Sequence, residues 1–169
     1  MALPADIPEN DFLPVQAASS RREELVLALL RSAAVARRPA TKVAESHGLS
    51  LAQYSVLRIL RAAGDEGLPT LTIRERMVEE AAGITRLINK LQRAGFVRRD
   101  RSSSDRRCVV CRLTDRGMSL VVELDDPIVA ANEGAMRILS DADVDELQRL
   151  LDLIHSRRKR AASQTRLAG

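Results

Sequence analysis

The stretch GITRLINKLQRAGFVRRDRSSSDRRCVVCRLTDRG, residues 83–117, changes from a helical to an extended pattern part-way along. Ile84, Leu87, Ile88 and Leu91 fall at helical spacing and leave Thr85, Arg86, Asn89 and Lys90 on the opposite face. Gly95 follows the last periodic residues and reads as the C-cap, where the backbone turns left-handed. Phe96–Arg99 and Arg107–Leu113 then combine β-branched residues, cysteine and arginine without a helical period, and Ser102-Ser103-Ser104-Asp105 between them is turn chemistry. The second half therefore predicts a β-hairpin with a charged tip.

Upstream, Met1 to Ala18 hold three prolines and no helical period, and read as an irregular arm. Ser20 and Glu23 have capping-box spacing ahead of Leu25, Leu29 and Leu30, which starts a first helix. Pro39 is expected to kink or restart that helix, and His47-Gly48 to end it. Ser50 and Gln53 repeat the spacing before a core face of Leu51, Tyr54, Val56, Leu57 and Leu60, a second helix that stops before Gly64. Gly64–Pro69 reads as a turn, and Thr72 with Glu75 as a further capping box opening a short helix that carries Ile73 and Met77. Downstream, a long helix is expected from Asp115 through Leu120, Val121, Leu124, Ile128 and Val129, with Pro127 as an interior kink. Ser140 and Asp143 cap a last helix whose stripe of Val144, Leu147, Leu150, Leu151 and Ile154 ends in Arg157–Arg160, cations suited to the negative end of a helix dipole.

The chain has 169 residues, enough for one domain with its own core. Its composition, 45% apolar and 30% charged with only 2% aromatic, favours a mostly helical protein. Two cysteines cannot make a disulfide framework, and no early apolar run is long enough for a signal peptide or a membrane span, so the chain reads as cytoplasmic with no membrane partner. The net charge is +4, unevenly placed: Thr70 to Arg112 holds eleven Lys and Arg against five acids, so the remainder is acidic on balance. A basic block in an acidic remainder suits a polyanion binder, because neutralising phosphates releases condensed counterions. Phe12, Tyr54 and Phe96 are scattered singly, which argues against a platform that stacks single-stranded bases.

Helix, short helix, tight break, helix and basic hairpin is the order of a winged helix-turn-helix, in which the second helix of the pair enters the major groove and the hairpin reaches the backbone or minor groove. Three stretches sharpen this: GLSLAQYSVLRIL (Gly48–Leu60), GITRLINKLQRAGFVRR (Gly83–Arg99) and DRRCVVCRLTDRG (Asp105–Gly117). Together they resemble the MarR family of transcriptional regulators, whose wing is written D-x-R, a short strand, then L-T-x-x-G. Asp105, Arg107, Leu113, Thr114 and Gly117 hold those positions here, and the resemblance covers roughly residues 21–160. It implies DNA contacts from Thr85, Arg86, Asn89 and Lys90 on the recognition helix, beginning at Gly83. It further implies contacts from Arg107 with Arg106 on the wing, and places Asp105 to orient the arginine. Arg74, Arg98, Arg101, Ser103 and Ser104 complete the expected interface, while Thr114 and Gly117 look structural. The chain has Ala81-Ala82-Gly83 where many relatives start the recognition helix with Ser or Thr, which shifts that end toward phosphate or backbone contacts.

The expected fold is mainly α with a small β-hairpin, a winged helix-turn-helix with flanking dimerisation helices. Its layout is an arm over 1–18, a winged domain over 19–160 and a tail over 161–169. Within the domain the helix-turn-helix spans about 70–94, the wing about 96–113, and the dimerisation helices about 20–47 and 115–160. By resemblance the chain is a homodimeric repressor of double-stranded DNA at a pseudo-palindromic operator, released by a small-molecule effector, with Tyr54 the candidate ligand contact. The alternatives are a ligand-independent or redox-responsive regulator and a non-specific nucleic-acid-binding protein, which need not prefer a palindrome. Cys108 and Cys111 form C-x-x-C, but zinc wants four ligands and positions i and i+3 of a strand face opposite sides. One thiol is expected under the wing and the other as a spectator. His47 and His155 stand alone near expected helix ends, and no H-E-x-x-H, G-x-S-x-G or G-x-G-x-x-G is present, so no catalytic residue, metal or cofactor is expected.

Overall fold

A computed structural model of the chain describes residues 20–77, 83–101 and 109–167, with side chains as far as Ser156. The chain divides after Asn132 into two units. The first contains α1 (Arg21–Ser46), α2 (Leu51–Ala63), a 3-10 turn (Gly64–Glu66), β1 (Leu68–Pro69), α3 (Thr70–Arg76), α4 (Ile84–Arg93), β2 (Val97–Arg101), β3 (Val109–Leu113) and most of α5 (Asp115–Met136). The second contains the end of α5 and α6 (Asp141–Leu167). The expected arm, residues 1–18, lies outside the described residues.

Three helix starts follow their capping residues. Ser20 Oγ accepts from the Glu23 N–H, and Ser50 and Gln53 form the reciprocal box. Ser140 accepts from the Asp143 N–H at 3.3 Å while Asp143 takes the Ser140 hydroxyl and N–H, which draws its carboxyl below the usual range. At the other ends, α1 and α4 finish in paired backbone bonds around a left-handed glycine. Gly48 N–H reaches Glu45 O and Leu49 N–H reaches Ala44 O; Gly95 and Phe96 repeat the pattern on Gln92 and Leu91.

Three expectations are corrected and one is narrowed. Pro39 does not restart α1, which runs through it unbroken, and Pro127 lies in the interior of α5 as expected. Each removes one N–H donor, and the carbonyls left over belong to Val35 and Glu123, which are exposed and can be satisfied by water. Thr72 is not a cap: α3 begins at Thr70, immediately after β1 leaves the sheet at Pro69. Residues 64–69 are more than a turn, because Leu68 and Pro69 pair antiparallel with Cys111 and Val110 and extend the hairpin to a three-stranded sheet in the order β1-β3-β2. Finally α6 continues to Leu167, which puts residues 157–160 in its interior instead of its last turn and makes 161–167 helical. Ala161, Ala162, Gln164 and Arg166 are good helix formers with no glycine or proline among them.

The core draws on helices α1 to α5 and on strands β2 and β3. Ala40 and Ala44 of α1, Tyr54, Val56, Leu57 and Leu60 of α2, Ile73 of α3, Ile84, Ile88 and Leu91 of α4, Val97 and Cys111 of the sheet, and Val121, Leu124 and Ile128 of α5 form one buried cluster. Gly117 permits α5 to join it. A Cβ there would drive into the Phe96 carbonyl and press on Leu113 Cδ2 at 3.3 Å, whereas a Cβ at Gly134 would meet nothing within 4 Å. Gly117→Ala should therefore lose about 1–3 kcal/mol of stability, while Gly134→Ala, inside the same helix, should be neutral or gain up to about 1 kcal/mol. Urea midpoints with unchanged slopes measure both; equal effects of the two substitutions would show that the Phe96 approach is not limiting.

Candidate nucleic-acid interface

Helix α4 shows two opposed faces. Ile84, Ile88 and Leu91 are buried and Leu87 is half-buried, while Thr85, Arg86 and Lys90 are exposed and Asn89 is half-buried between them. Gln92 and Arg93 extend the exposed face by one more turn. Gly83, at φ +91, is the N-cap and supplies no side chain; its carbonyl accepts from the N–H groups of Arg86 and Leu87. Arg74, with Arg76, is exposed on α3. Arg86, Lys90 and Arg93 have no ion-pair partner among the described residues, so their charge is available to a polyanion.

The sheet distributes its arginines differently. Strand alternation puts Arg98 and Asp100 on one face of β2 and Arg99 and Arg101 on the other. Arg98 pairs with Asp100, and Arg112, directly across the ladder from Arg98, also reaches Asp100 at 3.3 Å. Arg101 is exposed at the end of β2. Ser103, Ser104, Asp105, Arg106, Arg107 and Cys108 lie outside the described residues. Cys111 is fully buried with its Sγ 3.9 Å from Thr70 Oγ1, the position expected of a thiol packed under the hairpin. Among the described residues no group of three or more His, Cys, Asp and Glu could hold a metal, and no helix is long and apolar enough to cross a membrane. The sequence reading ended its first extended run at Arg99 and so missed both ties to Asp100; the spacing of Arg98 and Asp100, two apart in β2, is the signal that could have found one of them.

Tyr54 is buried, and its hydroxyl donates to Asp125 Oδ1 at 2.7 Å. Asp125 also pairs with Arg61, so one carboxylate ties two residues of α2 to α5. Tyr54 borders a cavity of about 250 Å³ walled by Leu51, Met77 and Ile128, with Arg37, Ser55, Arg58 and Asn132 as its polar groups. The Arg58 guanidinium stands 5.8 Å from the Tyr54 ring centroid. His47 Nδ1 lies 3.0 Å from Val43 O, and its Nε2 lies 3.4 Å from Glu123. His155 is exposed on α6.

Residues 49–109, from the end of α1 to the start of β3, match the family model described as MarR family. The crystal structure of a MarR transcription factor from Planctomyces limnophilus is 34% identical, covering 80% of this chain and 98% of that one, with a TM-score of 0.60. The chain belongs to the MarR family. It is accordingly a DNA-binding transcriptional regulator built on a winged helix-turn-helix. Two further solved structures share the fold. A mutant MarR from E. coli, complexed with operator DNA, is 19% identical with a TM-score of 0.69 over 77% of this chain and 92% of its own. CouR from Rhodococcus jostii RHA1, bound to p-coumaroyl-CoA, is 23% identical with a TM-score of 0.67 over 81% and 95%.

The Tyr54 network carries its own test. Burial first, then the hydrogen bond to Asp125, push the Tyr54 phenol up to about 12. It is the one tyrosine in a chain without tryptophan, so tyrosinate absorbance reports it cleanly. The folded regulator should ionise near pH 12 and the urea-unfolded chain near pH 10. A folded pKa above the unfolded one is stabilising below the unfolded value, so this contribution should be intact below about pH 10 and lost as pH rises toward 12. A folded midpoint near 10 would show that neither the burial of Tyr54 nor its bond to Asp125 holds in solution.

Proposed function

We propose that this MarR-family regulator acts as a homodimeric repressor that binds a pseudo-palindromic operator and is released by a small-molecule effector. The observation that carries the reading is the division of α4, with Ile84, Ile88 and Leu91 buried against Thr85, Arg86, Asn89 and Lys90 turned outward. A short hydroxyl, an amide and two cations can meet phosphates and base edges in a major groove. In this reading Gly83 brings the start of α4 close to the phosphate backbone. Arg74, Arg98 and Arg101 add backbone contacts, and the wing segment with Ser103, Ser104, Asp105, Arg106 and Arg107 reaches the minor groove.

Dimerisation is supported by apolar side chains that each unit leaves exposed. Leu25, Val26 and Leu30 on α1, and Val144, Leu147, Leu150, Leu153 and Ile154 on α6, have between 38% and 63% of their surface in solvent. A second copy is the occupant that would cover them symmetrically. The effector site is the cavity beside Tyr54. Met77, which lines it, is also the C-cap of α3, so an occupant bears directly on the end of that helix. CouR, which carries p-coumaroyl-CoA, is a precedent for a small molecule on this fold.

Operator fragments retained from sheared genomic DNA should footprint as two half-sites about 10 bp apart, bound by a species of twice the chain mass. Arg86→Ala and Arg107→Ala should each weaken operator binding by about 1–3 kcal/mol, with Arg107→Lys restoring only part because an ammonium is a poorer minor-groove insert. A footprint without a dyad, or parental binding by both alanine variants, would overturn this assignment.

A further inference from the structure

Arg112 belongs to the basic block by sequence but is withdrawn from solvent. Its side chain is 11% exposed, against 56% for Arg98 across the ladder. Its Nε donates to Asp65 O at 2.6 Å, in the 3-10 turn before β1, and its Nη1 donates to Asp100 Oδ2 at 3.3 Å on β2. Its stem lies over Gly67, where a Cβ would stand 2.6 Å from Arg112 Cγ and 2.5 Å from Cys111 O. Gly67 is buried at φ +67, so both its conformation and its lack of a side chain admit this approach. One side chain on β3 thus joins the turn at 64–67 to both long strands of the sheet. That turn leads through two residues of β1 straight into α3, the first helix of the helix-turn-helix.

We propose that Arg112 is a positioning residue for DNA binding, fixing β2 and β3 relative to the helix-turn-helix so that the wing meets DNA in register with α4. The inference rests on the reading of the hairpin as a DNA-contacting wing. Leverage gives the contact its importance. Strands of five residues extend about 16 Å, so a swing of about 10° at the base displaces their far ends by about 3 Å, the length of a hydrogen bond. A guanidinium suits the task because its planar fork donates in two directions at once, toward a carbonyl and a carboxylate; a lysine ammonium on its flexible stem cannot hold both in fixed geometry.

The test is a double-mutant cycle on one operator at fixed salt, repeated across a salt series. Arg112→Met in the parent should bind about tenfold more weakly with an unchanged salt slope, since no phosphate contact is lost. In the Arg107→Ala background the same substitution should lose less than about twofold, because the contact it positions has already gone. Arg112→Lys should recover little. Asp100→Asn, which keeps the Asp65 bond, should show the same coupling at smaller size and serves if Arg112→Met fails to fold. Equal losses in both backgrounds, full rescue by lysine, or a slope reduced by about one unit would overturn the inference, the last by making Arg112 itself a phosphate contact. Parental binding by Arg107→Ala would instead overturn the wing reading, and this inference with it; that result is distinct from equal losses beside a full Arg107 effect.

Discussion

The carbonyl of Phe96 is approached from two sides, and the arrangement of the winged unit depends on it. Thr114 N–H donates to it at 3.1 Å, and the first turn of α5 lies against it at Gly117, where any side chain would intrude. Thr114 completes the junction, its hydroxyl donating to Gly95 O at 2.7 Å and accepting from Gly117 N–H at 3.0 Å. The C-terminus of α4, the start of β2, the end of β3 and the start of α5 are thereby joined within a few bonds. Arg116 closes the outside, its guanidinium 4.8 Å from the Phe96 ring centroid. The hairpin is pinned at its base, α4 stays packed through Ile88 and Leu91, and α5 leaves in a direction that carries Val121, Leu124 and Ile128 into the core.

Around this junction the arginines divide by what they face. Arg61 and Arg112 serve carboxylates and a backbone carbonyl inside the fold, and Arg98 shares Asp100 with Arg112. A cation with a carboxylate of its own, such as Arg61, contributes little to the long-range potential, whereas Arg98 and Arg112 share one and together leave a net charge of about +1. On α4 the cations of the exposed face have no such partner among the described residues. The electrostatic footprint is therefore narrower than a count of eleven basic residues suggests, since Arg98 and Arg112 spend part of their charge on Asp100.

Much of this was legible in the sequence because local rules and tertiary packing agree there. The 3.6-residue pattern of α4, the capping pairs at Ser50 and Ser140, and the glycines at 48 and 95 each specify their structure within a few residues. The misses are places where the cause is remote. β1 is two residues long and exists only because β3 offers an edge, so no alternation could announce it. Thr72 and Glu75 satisfy capping-box spacing by coincidence, since the same i, i+3 geometry also occurs within a helix. Tyr54 and Asp125 are 71 residues apart, and nothing in the identity of either selects the other. Of the wing motif, the most specific part of the family resemblance, Asp105 and Arg107 lie outside the described residues, while Leu113 ends β3 and Thr114 and Gly117 join it to α5.

The proposed dimer is constrained by the length of α1 and by how much apolar surface each helix can contribute. At about 1.5 Å per residue the 26 residues of α1 span about 39 Å, and its buried positions, Ala40 and Ala44, lie in its second half, while Leu25, Val26 and Leu30 project beyond the core. A roughly half-exposed Leu, Val or Ile gains on the order of 1 kcal/mol when covered. Three such residues on α1 from each copy give on the order of 6 kcal/mol, and five on α6 give on the order of 10. Association and side-chain ordering cost an estimated 4–15 kcal/mol or more. Helix α1 alone falls within that cost, whereas both helices together reach its upper end. In the proposed dimer the apolar stripe of α6 would therefore add the larger share, beside the half of α1 that leaves the core.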